Sequence, residues 1–390
     1  MNIKNHLLVL LVAFIFGLYG SFANAEDKNA NKANASKTIK QSNVSSSQAV
    51  KQKDNINEHI PVFVASDDGY APYVATTMVS ILKHTKSFID YYVLDGGISE
   101  ENQKKILKTA EKWNNVKVHF VKIDMSFGKD IKFAKGSHVT LSTYSRLFIP
   151  MLPETKNIKK AIYMDVDMIV IKDIKEIYDS NLEGNVIGAV KDLGIMYSKP
   201  DPLHGTYRMY KLDKSYSLYR KYFNAGLLLI DCEKWRQGDY TKKVFDNVYK
   251  YTKDVDETKS KSESKTFFLW DDQDGLNVTF KQYKELPTKF NANPDLKHRC
   301  IRENLFCEIQ GKDKQDLTKK LDNYFNNDVV VLHYWGKNKP WNTIAKKYMY
   351  DEFCKVVPDT EFKNDIKFGR IIKALQKHFR NLKLSLMKKF

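Results

Sequence analysis

From Ile60 onward, short apolar runs alternate with stretches whose apolar residues recur at helical spacing. Ile60-Pro-Val-Phe-Val-Ala65 predicts a strand. Val74, Met78, Ile81 and Leu82 follow at i, i+4, i+7 and i+8, which is one face of a helix. Tyr91-Tyr-Val-Leu94 predicts a second strand, closed by Asp95-Gly-Gly97. Ser99 is placed to cap a helix with Glu100 and Glu101 in its first turn, where carboxylates suit the helix dipole. Val116 to Ile123 predicts a third strand, Leu141 to Phe148 a helix ending at Pro150, and Lys160 to Met164 a fourth strand. Further strands are expected at Asn185 to Val190, Tyr222 to Ile230 and Asp328 to Tyr334. Thr252 to Lys265, rich in Lys, Ser and Asp, reads as a surface loop. This alternation predicts an α/β fold, a mainly parallel sheet flanked by helices.

Ligands of such sheets bind beyond the carboxyl ends of the strands. Asp67-Asp68 lies just past the first strand and Asp165-Val-Asp167 just past the fourth. Extended chain sends residues i and i+2 to one side, so Asp165 and Asp167 repel unless a cation joins them. Oxygen ligands of this kind select Mg²⁺ or Mn²⁺. His333 follows Val329-Val-Val-Leu332, also at a strand end, and an imidazole beside two carboxylates shifts the preference toward Mn²⁺. Gly336 lets backbone approach a phosphate, which Lys337 or Lys339 can neutralise. Trp270-Asp-Asp-Gln-Asp274 and Asn224-Ala-Gly226 are two further polar clusters beside apolar runs. Taken singly, the first reads more simply as a solvated acidic turn, and an ordinary turn explains the second equally well.

Composition and charge change the picture mainly at the ends. The chain has 390 residues, 42 % of them hydrophobic, enough apolar material for a sizeable core. Lys and Arg number 64 against 47 acidic residues, a net +17, and Lys363 to Phe390 alone carries nine basic residues and one Asp. Nearly half of the excess therefore lies in a short tail, and the acidic strand ends repel a phosphate backbone, so no nucleic-acid partner is expected. In that tail Phe368, Ile371, Ile372, Leu375, Phe379, Leu382, Leu386 and Phe390 recur at helical spacing among Lys and Arg. A C-terminal amphipathic helix on an anionic membrane surface is expected. Residues 1–25 hold an apolar run, Leu7 to Ala25, ending in Ala23-Asn-Ala25, which reads as a signal peptide or, uncleaved, a signal anchor. Residues 26–59 read as a disordered stem, residues 60–345 as one globular domain, and residues 346–390 as the basic tail. Asn34, Asn43 and Asn277 match the glycosylation sequon. Of the four cysteines, Cys300 and Cys307 are close enough to pair in an oxidising compartment; buried free thiols are the simpler expectation.

Seven stretches, in order, resemble the retaining family 8 glycosyltransferases, among them bacterial lipooligosaccharide galactosyltransferases and glycogenin. They are Val64-Ala-Ser-Asp-Asp68, Leu94-Asp-Gly-Gly-Ile-Ser-Glu-Glu-Asn102, Ser142-Thr-Tyr-Ser-Arg-Leu147, Tyr163-Met-Asp-Val-Asp167, Phe223-Asn-Ala-Gly-Leu227, Asp272-Gln-Asp274 and His333-Tyr-Trp-Gly-Lys-Asn-Lys-Pro-Trp341. The resemblance implies a GT-A-type nucleotide-sugar-binding fold and makes residues 60–345 the catalytic domain. It implies Asp165, Asp167 and His333 as metal ligands, with Val166 between them at the nucleotide. It places Asp67, Asp68 and Tyr70 at uridine, and Arg146 near the diphosphate and sugar. Asn224 and Ala225 match sugar-pocket positions, while Gly336 and Lys339 match the diphosphate clamp. Gln273, Asp192 and Asp272 are the implied catalytic residues.

The activity implied by the resemblance is transfer of a hexose, galactose or glucose, from a UDP-sugar to a hydroxyl of a saccharide or glycolipid acceptor. Retention of configuration, dependence on Mn²⁺ (Mg²⁺ being the alternative) and a place in lipopolysaccharide or other glycan biosynthesis are expected. The alternative is an inactive relative that binds sugar or a partner protein. The N-terminal segment implies an exported or membrane-associated enzyme, in a secretory lumen, a periplasm or outside the cell.

Overall fold

The computed structural model describes residues 59–124, 141–196, 222–252, 272–303, 309–336, 339–344 and 347–387. The apolar run of the leader, the expected stem apart from His59, which opens the first strand, the expected loop Thr252 to Lys265 apart from its first residue, and Cys307 all lie outside the described residues.

The main sheet grows from the predicted apolar runs. β1 (His59–Ser66), β2 (Phe88–Asp95) and β3 (Val116–Lys122) pair in parallel, and β1 pairs in parallel with β4 (Lys160–Met164) on its other side. In β1, Val62 and Val64 enter one core and Phe63 the other, so the strand is apolar throughout because both faces are covered. Beyond β4 lie β7 (Phe223–Asp231), antiparallel to it, then β6 (Ile187–Lys191) and the short β8 (Lys284–Glu285). The order is β3-β2-β1-β4-β7-β6-β8, and four of the six pairings are parallel. The chain leaves β1 to one side for β2 and β3 and then returns to lay β4 on the other side of β1, which opens a crevice at the carboxyl ends of β1 and β4.

The helix Ala71–His84 covers one face with Val74, Met78, Ile81 and Leu82, all buried, and has Pro72 in its first turn, where the missing N–H costs nothing. The helix Glu100–Ala110 begins as expected, with Ser99 Oγ accepting from the Asn102 N–H. The opposite face is covered by the helices Cys232–Gln237 and Tyr240–Thr252, through Trp235, Val244, Phe245 and Val248.

Four expectations are altered. Leu141 to Phe148 is not one α-helix: a single turn, Leu141–Tyr144, tightens into a 3₁₀ stretch, Ser145–Met151, that carries Pro150. The run Asp328 to Tyr334 yields only a short β9 (Val331–His333), because a π-turn still occupies Tyr324–Asp328. β9 does not join the main sheet. It pairs antiparallel with β5 (Met168–Val170). Asn277 is fully buried, its side chain bonded to both the N–H and the C=O of Phe223, so this sequon cannot carry a glycan in the folded chain. Cys300 is disulfide-bonded, so the simpler expectation of free thiols does not extend to it; Cys232 and Cys354 are free.

The predicted C-terminal helix runs Lys363–Met387. Its start is part of the body: Phe362 and Ile366 are buried, and Arg370 donates to the Thr343 carbonyl at 2.9 Å. Phe368, Ile371, Ile372, Leu375 and Phe379 are exposed. Among the described residues no helix is long and apolar enough to cross a membrane.

Candidate functional site

The turn between β4 and β5 carries Asp165, Val166 and Asp167. It is fixed from both sides: the Asp165 N–H donates to the Gly226 carbonyl of β7 at 2.8 Å, and the Tyr334 N–H donates to the Asp167 carbonyl at 3.0 Å. In the β5–β9 pair, Met168 stands opposite His333, and this register brings the imidazole to the carboxylates. His333 Nε2 lies 3.0 Å from Asp167 Oδ1 and 4.0 Å from Asp165 Oδ2. One ligand atom from each of Asp165, Asp167 and His333 falls within 4.8 Å of the others. Gly226 makes this packing feasible, since a Cβ there would stand 2.5 Å from His333 Cε1 and 2.8 Å from Asp165 Oδ2.

Buried positive charge surrounds the cluster. Arg146, 5 % exposed, commits its guanidinium entirely to the protein. It reaches Asp165 Oδ1 at 3.1 Å, Asp272 Oδ2 at 3.1 Å, and the carbonyls of Ala225 at 2.6 Å and Thr143 at 2.9 Å, and it lies over the Tyr163 ring. Tyr163 Oη donates to Asp165 Oδ1 at 2.7 Å. Lys339 pairs with Asp167 Oδ2. Burial alone raises a carboxyl pKa, but Lys339 and His333 outweigh it at Asp167 and hold it well below the ordinary carboxylate range.

Beside the cluster is a ring of amides and acids. Asn224 Nδ2 and Gln273 Nε2 both donate to Asp192 Oδ2, at 3.1 and 3.2 Å, while Gln273 Oε1 accepts from the Ala225 N–H at 2.9 Å. A bulge in β6 at Ala189/Val190 aims this strand end at β7, so that Asp192 meets Asn224. Asp272 is brought to the site only indirectly. It is buried against Arg146 and does not line the pocket. Three participants have no counterpart in the sequence reading. Tyr222 Oη donates to Asp274 at 2.6 Å and accepts from Gln273. Tyr163 supports Asp165. Asn291 bonds His333 Nδ1 at 2.8 Å and donates to Asn224 Oδ1 at 2.9 Å.

A pocket of about 220 Å³ opens on the crevice, and Asp67, Tyr70, Arg146, Asp165, Val166, Asp167 and Lys339 are among its lining residues. Asp68 turns away from it. Its Oδ1 accepts from the Ser99 N–H at 2.7 Å and from Asn102 Nδ2 at 2.8 Å, which lowers its pKa and ties the loop after β1 to the loop after β2. Gly336 sits at φ +80°, a left-handed conformation that glycine adopts at little cost. Lys337 lies outside the described residues.

These donors suit a divalent cation. Two carboxylates and an imidazole are the ligand chemistry of Mn²⁺ or Mg²⁺. Asp167 Oδ1 is buried and accepts no well-formed hydrogen bond, although it faces His333 Nε2. Nδ1 faces the Asn291 amide oxygen, which can only accept, and Nε2 with Asp167 Oδ1 is the pair of atoms that a metal ion would join.

Comparison with known proteins bears on the same residues. The family model described as "Glycosyl transferase family 8" matches residues 61–345. General stress protein A of Bacillus subtilis is 27 % identical over 78 % of this chain and 96 % of its own length. The lipopolysaccharide 1,2-glucosyltransferase of Escherichia coli K12 is 25 % identical over 75 % of each. Among solved structures, the galactosyltransferase LgtC in complex with donor and acceptor sugar analogs superposes with a TM-score of 0.60 at 23 % identity, over 77 % of this chain and 96 % of that one. The fold is therefore of the GT-A type, as the sheet order and flanking helices are.

Proposed function

Since the chain belongs to glycosyl transferase family 8, we propose that it transfers a hexose, galactose or glucose, from a UDP-sugar to a hydroxyl of a saccharide or glycolipid acceptor. The transfer retains configuration, depends on Mn²⁺ with Mg²⁺ as a weaker substitute, and serves lipopolysaccharide or related glycan biosynthesis. One observation carries the reading: Asp165, Asp167 and His333 converge within 4.8 Å, and both aspartates line the pocket that Asp67, Tyr70 and Lys339 also line.

In this reading Asp165, Asp167 and His333 hold the cation. Bound there, it supplies Lewis-acid charge beside the departing diphosphate. Arg146 fixes the rotamer of Asp165 through their ion pair. Lys339, on the pocket wall, neutralises phosphate oxygens, and the left-handed turn at Gly336 leaves room for them. Asp192, Asn224 and Gln273 grip the sugar. Both carboxylates near it are engaged, Asp192 by two amides and Asp272 by Arg146. This favours front-face attack by the acceptor hydroxyl over a covalent sugar on either acid, with a β-phosphate oxygen taking the proton. Gln273, held at both ends of its amide, steadies the ring.

A screen of UDP-sugars with Mn²⁺ tests the activity. One UDP-hexose should be hydrolysed or transferred, and the anomeric proton coupling of the product should report an α-linkage. Binding of a UDP-sugar without turnover in any acceptor mixture would favour an inactive relative, and a β-linked product would overturn retention.

We also propose that the N-terminal segment makes the enzyme exported or membrane-associated, and that the tail helix lies on an anionic membrane. The support is its exposed Phe368, Ile371, Ile372, Leu375 and Phe379 among basic residues. Because the helix is anchored on the body up to Arg370, the informative cut is after Lys373. Five basic residues are then lost, each worth about 1 kcal/mol at such a surface. The truncated chain should stay active in solution and stop sedimenting with anionic vesicles. Equal sedimentation of both chains refutes the proposal.

A further inference from the structure

Resting on the metal-site reading above, we propose that Asn291 and Asn224 form a relay that fixes the proton of His333 on Nδ1, offers Nε2 to the cation, and ties metal binding to the sugar-side acid Asp192. Asn291 is thus a positioning residue.

Donors and acceptors can be assigned in turn, starting from Asp192. Ionised Asp192 only accepts, so the group that Asn224 points at Asp192 Oδ2, 3.1 Å away, is its NH₂. The other end of Asn224 must then be its oxygen, and there it meets the Gly226 N–H at 3.0 Å, which only donates. Two independent partners thereby fix one amide orientation. Asn224 Oδ1 also faces Asn291 at 2.9 Å, so Asn291 presents its NH₂ there. The remaining end of Asn291, its oxygen, lies 2.8 Å from His333 Nδ1. An amide oxygen cannot donate, so Nδ1 carries the proton. Nε2, 3.0 Å from Asp167 Oδ1, is the atom that coordinates.

All four residues are buried, none more than 6 % exposed, so water does not compete for these bonds. The backbone holds Asn291 in register: the Ala292 N–H donates to the Val331 carbonyl at 3.0 Å and the His333 N–H to the Ala292 carbonyl at 2.9 Å. Reversing either amide would set oxygen against oxygen at one contact and N–H against N–H at the other. The orientation is set as a unit, and a disturbance at Asp192 reaches the metal ligand.

Mn²⁺ alone, without donor sugar, is the probe, titrated by electron paramagnetic resonance into the full chain. Asn291→Leu removes the acceptor at similar volume and should weaken Mn²⁺ binding about 10–100-fold, the range for outer partners of a metal-ligating histidine. Asn291→Asp restores an acceptor to Nδ1 and should bind Mn²⁺ within about threefold of the parent. Because a carboxylate cannot donate to Asn224, this same variant should still raise the KM for the UDP-sugar. A merely structural role predicts equal losses for both variants. Parent-like Mn²⁺ binding in Asn291→Leu, or equally weak binding in both, overturns the proposal. Asp167→Ala tells the two readings apart: if it too leaves Mn²⁺ binding unchanged, the metal-site reading has failed. ¹⁵N resonances of His333 in the metal-free parent, at mildly alkaline pH, test the tautomer directly and need no variant to fold. A protonated Nδ1 supports the relay, and a protonated Nε2 with bare Nδ1 ends it.

Discussion

Two acidic pairs flank the crevice, one after β1 and one after β4, and they are built in opposite ways. Asp165 and Asp167 are cross-braced by Tyr163 of β4 itself, by Arg146, and by Lys339 and His333 from the segment that follows and includes the end of β9. Asp67 is half-buried and Asp68 exposed, and their bonds are to backbone N–H groups and a side-chain amide: Asp67 caps the turn that leads to Tyr70, and Asp68 holds the next loop. The first pair, half-buried and tied to charged partners, is costly to keep without them, and its geometry cannot relax when one is lost. The second is solvated and forgiving. Fixed charge suits the place where charge develops during a reaction. A soft, hydrated rim suits a part of the ligand that only has to be recognised. The contrast yields graded expectations.

The largest effect belongs to the cross-braced pair. Asp167→Asn keeps the shape but removes a metal ligand and the counter-charge of Lys339. Turnover should fall by about 10³-fold or more, equivalent to several kcal/mol of lost charge stabilisation. Excess EDTA should do the same to the parent, and added Mn²⁺ should restore it. Full turnover in EDTA would remove the metal from the account.

Next comes the glycine behind that pair. Gly226→Ala leaves every ligand in place but puts a methyl 2.5 Å from His333 Cε1 and 3.0 Å from Asn224 Oδ1. Something must move, and displacement of catalytic groups by about 1 Å costs on the order of 10²-fold. The value of kcat/KM should drop by about that factor, with Mn²⁺ affinity falling alongside it. Unchanged Mn²⁺ affinity would mean that the cluster is less tightly packed than these distances require.

The sequence revealed these regions unequally, for physical reasons. The Asp165–Asp167 turn was legible because apolar runs on both sides announce strand ends, and alternation sends both side chains one way. His333 was legible as a strand end, although its strand is shorter than the run and lies outside the main sheet. Asn291 was not. It sits after a 3₁₀ turn, Thr288–Phe290, with no periodicity to mark it, and its importance arises only from the β5–β9 register. Asp272 differs from its neighbour. Its neighbour Gln273 reaches Asp192, but the helix Asp272–Thr279 begins at Asp272 and directs that side chain to Arg146. Motif spacing names the segment, while helix phase decides which member meets Asp192 and which meets Arg146.

The smallest effect tests the forgiving pair. Asp68→Asn retains an oxygen that can accept from Ser99 N–H and Asn102 Nδ2, so it isolates the charge. Those bonds lower the folded-state pKa of Asp68 below its ordinary 3.8. A group whose pKa is lowered by folding stabilises the fold above its unfolded-state value, and that contribution fades as pH falls through the folded-state value. The carboxylate's advantage over the amide should therefore be complete at neutral pH and vanish in acid. Its size, discounted for exposure, is about 0.5 kcal/mol, or about 1–2 °C in Tm. Thermal melts of the parent and Asp68→Asn should differ by that much at neutral pH and converge below pH 3.8. Turnover at neutral pH should change less than about threefold, because Asp68 does not line the pocket. A gap that widens toward acid would contradict a folded-state pKa lowered by these bonds. A turnover loss comparable to that of Asp167→Asn would erase the distinction between the two pairs.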